Sequence, residues 1–209
     1  ESLPYVLNEL KKFDLKILIV LEKSDLETIN SLKGFNCEIL YQNNKGYGDA
    51  LIQGINSVKT KYFCIFNADG SFNPSELENM YKKIVNENKD IVFASRYEDD
   101  CSSEDDTIIT SLGNYIFTKI GNIFFNLKIT DILYTFVMGQ TYKIQNLNLN
   151  TKDFGFCVEL PIKASKKKLI ISTSKSNERA RLGGKKKVNA FKDGFYILIK
   201  MVSLLFNKS

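Results

Sequence analysis

Strand-like apolar runs alternate with helical patterns through the first half of this chain, and that alternation limits the fold more than any single residue does. Residues 15–21 are leucine, isoleucine and valine around one lysine, and residues 24–32 follow with helical spacing. The cycle then repeats. Residues 37–41 read as a strand, 47–58 as a helix, 62–66 as a buried strand, 74–86 as a helix with Pro74 in its first turn, and 91–94 as a further strand. A repeat of this kind buries both faces of its strands by laying helices over a largely parallel sheet. The expected fold class is α/β.

The pattern changes after an acidic, serine-containing stretch at 97–106, which reads as a solvent loop. Beyond it, Ile116, Phe117, Ile120, Ile123, Phe124 and Leu127 recur at helical intervals. A second stripe of Phe191, Phe195, Leu198, Ile199, Val202, Leu205 and Phe206 closes the chain, with Lys192, Lys200 and Lys208 around it. Two readings of these helices stand side by side: core burial, or insertion into a bilayer interface favoured by basic flanks. The 209 residues accommodate one main domain over residues 1–175 and an appendage over 176–209 made of a basic loop and the last apolar helix.

Composition narrows the chemistry. The chain has no histidine, which removes serine–histidine and cysteine–histidine nucleophilic pairs, histidine-ligated zinc and histidine general-base catalysis together. What remains is carboxylates, Lys and Arg, hydroxyls, thiols, or a metal held by oxygen. The cysteines, Cys37, Cys64, Cys101 and Cys157, are widely spaced and read as reduced thiols, which points to a cytosolic compartment. Neither a signal peptide nor an unbroken apolar run of about 18 residues occurs. The net charge of +5 is unevenly spread: residues 1–150 carry 15 basic and 20 acidic groups, and residues 151–209 carry 14 and 4. The last quarter therefore suits an anionic partner, although a solvated lysine-rich surface gives the same count.

Three short segments carry candidate chemistry. Asn67-Ala68-Asp69-Gly70-Ser71 follows a buried strand, where ligands bind in open α/β sheets. Its oxygen donors suit a hard divalent cation that also takes phosphate oxygens, while a simple Asp-Gly turn is the plainer reading. Asn43-Asn44-Lys45-Gly46-Tyr47-Gly48-Asp49-Ala50 leads a strand into a helix and could turn backbone N–H groups toward an anion, but matches neither common phosphate-loop pattern. Glu178-Arg179-Ala180-Arg181-Leu182-Gly183-Gly184-Lys185-Lys186-Lys187 sets five cations around a Gly-Gly hinge, suited to a diphosphate or a lipid phosphate. Nucleic acid fits less well, since the run lacks interleaved aromatics and no nucleic-acid-binding motif accompanies it.

Taken in order, these segments resemble family 2 glycosyltransferases of the GT-A fold, and in particular the dolichol- or polyprenyl-phosphate sugar transferase branch. Residues 3–10 resemble the helix after the family's opening strand, residues 44–51 with Gly54 a glycine-containing segment, and Asn67-Ala68-Asp69 its D-x-D position. Thr130-Asp131, residues 154–159 and residues 178–194 follow in the family's order. The resemblance implies a GT-A fold with a mostly parallel sheet, flanking helices and C-terminal amphipathic helices. It implies inverting transfer of a sugar from a nucleotide diphosphate-sugar to a polyprenyl phosphate or related glycan acceptor, assisted by Mg²⁺ or Mn²⁺. The implied setting is the inner face of the cytoplasmic membrane and the making of cell-envelope polysaccharide.

By the same resemblance, Asp69, Asp131 and Glu159 are catalytic, with Asp69 and Asn67 as metal ligands. Glu22, Asp25, Lys45, Gly46, Asn67, Arg179, Arg181 and Lys185 would hold the nucleotide-sugar, and Arg96 and Ser111 the acceptor phosphate. The first D-x-D aspartate is Asn67 here, and Glu22-Lys23-Ser24-Asp25 stands where the family carries an aspartate pair. A degenerate GT-A domain that binds nucleotide-sugar, lipid phosphate or a partner without turnover is the alternative.

Overall fold

The computed structural model of the protein describes residues 2–184 and 188–207. The elements run α1 (Ser2–Leu10), β1 (Leu18–Leu21), α2 (Leu26–Ser31), β2 (Glu38–Tyr41), α3 (Tyr47–Ser57), β3 (Tyr62–Ile65), a 3₁₀ turn (Pro74–Glu76) and α4 (Leu77–Asn86). They continue with β4 (Ile91–Ser95), α5 (Ile108–Phe125), β5 (Val137–Gln140), α6 (Thr141–Gln145), α7 (Phe156–Lys166), β6 (Ile171–Lys175) and α8 (Ala190–Phe206). Every strand and helix read from the first half is present, within a few residues of its expected bounds.

The strands form two ladders. β1 and β2 pair in parallel, Leu18 opposite Glu38 through Leu21 opposite Tyr41. The larger sheet has the order β3-β5-β4-β6, with β4 and β6 parallel and β5 inserted antiparallel to both β3 and β4. β5 is thus the departure from a parallel reading. Its sequence, Val137-Met138-Gly139-Gln140, is four residues long with a glycine in it, too short to display a period.

Side-chain alternation explains how the larger sheet is covered. In β4, Ile91 and Phe93 point into one core with Val137, Phe156, Ile162, Ile197 and Met201. Val92 and Ala94 point into the other, with Val6, Leu10, Leu77, Met80, Phe136 and Met138. α1 and α4 therefore lie on one face, and α7 and α8 on the other. α1 also turns Leu3 and Leu7 toward Leu21 and Leu32, joining the small ladder to the large sheet. α7 is buried all round from Phe156 to Ala164, which is why no helical period showed there. It tolerates Pro161 inside that buried stretch.

α5 begins earlier than its apolar stripe, because Thr107 and Thr110 form a capping box at its amino end. It ends at Asn126 in the left-handed conformation, φ 54°. α8 packs Ile197, Met201 and Leu204 inward against α5 and α7. Its other face is open, with Phe191 81% and Phe206 82% exposed, and α5 leaves Ile108 88% exposed. Core burial thus describes one face of each helix, and the other face is left open. Among the described residues no helix is long and apolar enough to cross a membrane.

Candidate active site

β3, β4 and β6 run in one direction, and β5 runs against them. The segments after the first three strands and the segment before β5 must therefore meet at one edge of the sheet. This edge is where open α/β sheets bind ligands. It gathers the Asp69 turn, Arg96, Asp131 and the loop from Ser176 to Arg181.

At the end of β3, Asp69 folds back on its own turn. Its Oδ1 accepts from the Ser71 N–H at 3.0 Å and the Ser71 hydroxyl at 2.8 Å. Its Oδ2 lies 3.4 Å from Arg181 Nη1. Gly70 has φ 87°, and a Cβ there would come within 2.8 Å of the Leu182 side chain, so the turn requires glycine on both counts.

The loop after β6 is strapped across this turn. Arg179 N–H donates to Ser71 O at 2.9 Å and Leu182 N–H to Asp69 O at 2.8 Å. On the strap's other side, Glu178 N–H donates to Ser102 O and Glu104 N–H to Glu178 O, both at 3.0 Å, and Ala180 N–H donates to Glu104 Oε2 at 3.1 Å. Arg179 forks onto Glu9 of α1 with two bonds of 2.8 Å, and Arg181 Nη2 meets Asp105 Oδ2 at 3.0 Å. The carboxylate of Glu9 is held below its usual range, chiefly by the hydrogen bond from Arg179. Residues 97–106 are therefore not simply a solvent loop: Glu104 accepts from the strap's backbone, and Asp105 and Asp106 are counter-ions of Arg181 and Arg96. Composition shows charges but not which ones meet.

Arg96 is the hub of the edge. Its Nε and Nη2 fork onto Asp131 at 2.7 and 3.0 Å, and its Nη1 reaches Glu178 at 3.0 Å and Asp106 at 3.6 Å. Tyr134 lies under the guanidinium, 4.5 Å from ring centre to Cζ. Burial opposes its charge, but Asp131 above all and then Glu178 outweigh that and hold it more firmly protonated than usual. The Asp131 side chain has no exposed surface. The resemblance made it catalytic; the structure makes it the sealed partner of Arg96.

Beside Arg96 opens a cavity of about 620 Å³ under the amino end of α5. Arg96, Tyr97, Asp106 and Ser111 line its polar side, and Ile108, Leu112 and Tyr115 its lip. Arg96 and Ser111, expected together, do share this cavity. Tyr97 donates its hydroxyl to Asp106 and also bonds Ser111, and burial leads in pushing its phenol pKa up.

The other expected residues lie elsewhere. Glu159 is fully buried at the start of α7, accepting from the N–H groups of Asn150 and Thr151 at 3.0 and 2.8 Å and paired with Lys163 at 2.8 Å and Lys200 at 3.2 Å. It ties α7 to the 150–151 loop and to α8. Lys45 comes to Glu22 at 3.7 Å on an exposed surface, and Asp25 caps α2 through the Thr28 N–H. None of these is joined to Asp69 or Arg181 by a hydrogen bond or ion pair among the described residues. Gly46 and Gly48 are needed because the backbone of 151–153 passes directly over them: a Cβ on either would collide with Lys152 O or Thr151 O. Lys185 lies outside the described residues.

Two residues near the edge had no role of their own in the sequence reading. The Tyr47 hydroxyl, at the first turn of α3, bonds Thr135 Oγ1 at 2.6 Å, and its ring stacks on Phe154 with centroids 4.8 Å apart. Burial, then nearby Cys157 and Asp69, push its pKa up. Cys157 is buried, its thiol pushed up to about 12 by burial, so it stays protonated and is no nucleophile.

The Asp69 turn fits a hard cation in part. It offers one carboxylate, the Ser71 hydroxyl and the Asn67 amide, whose side chain makes no hydrogen bond among the described residues. No group of three or more acidic or thiol side chains arranged to hold a metal ion forms among the described residues, so a cation here would take further oxygens from solvent or a bound phosphate.

Solved structures with the same architecture include those of glucosyl-3-phosphoglycerate synthase from Mycobacterium tuberculosis. One, in complex with UDP, superposes with TM-score 0.78 at 10% identity over 100% of this chain and 76% of that one. A second, with Mn²⁺, UDP and glucosyl-3-phosphoglycerate, gives 0.76 at 9% over 100% and 76%. A third, with Mg²⁺ and UDP, gives 0.70 at 12% over 100% and 76%. Identities this low speak for the fold alone, which is GT-A. No curated protein matches the chain at a significant level. The family description Glycosyl transferase family 2 matches residues 1–147. That span takes in the Asp69 turn, Arg96, the α5 cavity and Asp131, and the chain belongs to glycosyl transferase family 2.

Proposed function

We propose that this protein transfers a sugar from a nucleotide diphosphate-sugar to an acceptor held in the cavity beneath α5. The observation that carries the reading is the convergence, at one sheet edge, of the Asp69 turn, a cationic strap and an acceptor-sized cavity floored by Arg96. The M. tuberculosis synthase structures hold UDP with Mn²⁺ or Mg²⁺, and one holds phosphoglyceric acid besides. By that analogy Asp69, with Asn67 and Ser71, holds Mg²⁺ or Mn²⁺, which when bound neutralises charge on the departing diphosphate. Arg181 and Lys185 add cationic groups beside the diphosphate, and Gly46, Lys45, Glu22 and Asp25 serve the nucleotide end. Arg179 holds the strap to α1 through Glu9. Asp131 and Glu178 fix the orientation of Arg96, and Ser111 and Arg96 hold the acceptor.

The finer reading of the acceptor is a polyprenyl phosphate. Its head group would lie at Arg96 and Ser111, and its chain would leave across Ile108, Leu112 and Tyr115 onto the exposed faces of α5 and α8. Those faces, with Lys119 and Lys192, would rest on the inner leaflet. A phosphate oxygen is already anionic and needs little general-base help, which suits a chain without histidine. One observation favours a hydroxyl-bearing glycan instead: Arg96 is already matched by Asp131, Glu178 and Asp106, and Asp106 stands in the cavity where it could take a hydroxyl proton.

Transfer assays with a panel of UDP- and GDP-sugars, given undecaprenyl phosphate or glycan acceptors, decide between them. Product lost with EDTA and with Asp69→Ala supports the enzyme. Product from glycans alone removes the lipid phosphate. Folded protein that binds nucleotide-sugar and makes no product supports the degenerate alternative, and Asn67→Asp would then be expected to restore activity.

A further inference from the structure

Arg181 stands where a cation would stand. Its Nη1 is 3.4 Å from Asp69 Oδ2, the carboxylate oxygen not used by Ser71. Its Nη2 and Nε hold both oxygens of Asp105 at 3.0 and 3.4 Å. The guanidinium is thus shared, more closely to Asp105 than to Asp69. The backbone keeps it there, through Leu182 N–H on Asp69 O, Arg179 N–H on Ser71 O and Ala180 N–H on Glu104. Asp105 itself has no part in the transfer proposed above.

We propose that Asp105 is a positioning residue: it holds Arg181 as the resident counter-cation of Asp69 in the empty site, and keeps that arginine beside the site when a divalent cation displaces it from Asp69. The inference rests on the reading of Asp69 as a cation ligand. A divalent cation and a guanidinium compete for the same carboxylate oxygen, since each needs its lone pairs and the two positive charges repel. Without Asp105, the ion pair left to Arg181 among the described residues is the one with Asp69, and the competition sharpens. With Asp105, the displaced guanidinium keeps a two-pronged partner and remains close enough to meet the diphosphate that arrives with the cation. The donor site is thereby held shut until cation and diphosphate come together, and Arg181 opposes the first while favouring the second.

Opposite signs make this testable. Mn²⁺ binding is measured on the purified full chain by electron paramagnetic resonance, first alone and then with UDP. Arg181→Gln should bind Mn²⁺ alone about fivefold more tightly than the parent, the size of one partly exposed ion pair, and should bind UDP in the presence of Mn²⁺ more weakly. Asp105→Asn should bind Mn²⁺ alone more weakly, and Asp105→Glu should restore the parental value. A strap that is only structural would weaken all of these in one direction, and that result overturns the proposal, as does unchanged Mn²⁺ affinity in Arg181→Gln. If neither the parent nor Arg181→Gln takes up Mn²⁺ with or without UDP, the cation reading of Asp69 fails and this inference fails with it. If the parent binds Mn²⁺ with UDP while Arg181→Gln shows no gain alone, the cation reading stands and only the role of Asp105 and Arg181 falls.

Discussion

Arg96 concentrates more of this molecule's electrostatics than any other side chain, and its surroundings set what its loss would cost. Removing its side chain leaves Asp131 sealed without a cation, holding only the backbone N–H of residue 96, and Glu178 without its nearest cation. Arg96→Ala should therefore lower the free energy of unfolding by about 3–5 kcal/mol, read from urea denaturation. Arg96→Lys keeps the charge but not the fork onto Asp131 and should recover only part of that. Glu159 yields a pH dependence. Burial works against its ionised form, but Lys163, the Thr151 N–H and Lys200 outweigh that and hold its pKa below the ordinary 4.5. Its contribution is therefore complete above that ordinary value and is lost as pH falls through it toward the lower folded value. The urea midpoint should drop as the solution is acidified below about pH 4.5. In Glu159→Gln that drop should be shallower, on top of a loss of stability at neutral pH from two lysines left facing an amide. Glu9, also held low, adds to the slope, whereas Glu76, raised chiefly by burial, works against it.

At the scale of elements, α8 has two faces with different work. Ile197, Met201 and Leu204 belong to the main core, while Phe191, Phe195 and Phe206 face outward. Met201→Ala should cost about 2–5 kcal/mol by opening a cavity and leave any affinity for anionic vesicles intact. The pair Phe191→Ser with Phe206→Ser should do the reverse, leaving the unfolding midpoint near its parental value and abolishing co-sedimentation with vesicles at low salt. Vesicle binding unaffected by that pair would remove the membrane role of this face. A helical stripe in a sequence does not say which of its residues face a neighbour. That depends on α5 and α7 covering one side of α8 and leaving the other bare.

For the whole molecule, the uneven charge resolves into contacts within the chain. The acidic first part and the basic last part meet at Arg179 with Glu9 and at Arg181 with Asp69 and Asp105. Both sets are partly exposed and therefore open to screening. Raising salt from about 0.05 to about 0.5 M should speed hydrogen exchange at the Leu182 amide, which bonds Asp69 O. The Ala94 amide, inside the sheet on Phe136 O, should stay protected. Equal protection of both at high salt would mean that backbone pairing, not charge, holds the strap.

Much of this architecture is readable from local pattern. Three of the strands between residues 15 and 94 are only four residues long, but each sits in an apolar, β-branched or aromatic run between turn residues and helical patterns, so their order, and the α/β class with it, follows from sequence alone. Asp69 could be singled out for the same reason, standing beside Asn67 just past a buried strand. Four elements escaped, for physical reasons. β5 is four residues with a glycine, α6 is five residues, α7 is apolar on every side, and β6, Ile171-Ser172-Thr173-Ser174-Lys175, is mostly polar and becomes a strand because β4 pairs with it. The antiparallel placement of β5 is a choice among long-range pairings, on which local sequence has no hold. It brings Asp131 to the same edge as Arg96, and so decides that one seals the other. The partners of the charged residues were settled in the same way. Sequence determined that an acidic segment and a basic segment exist. Only the packing of β4 beside β6 laid them across one another and put Arg181 between Asp69 and Asp105.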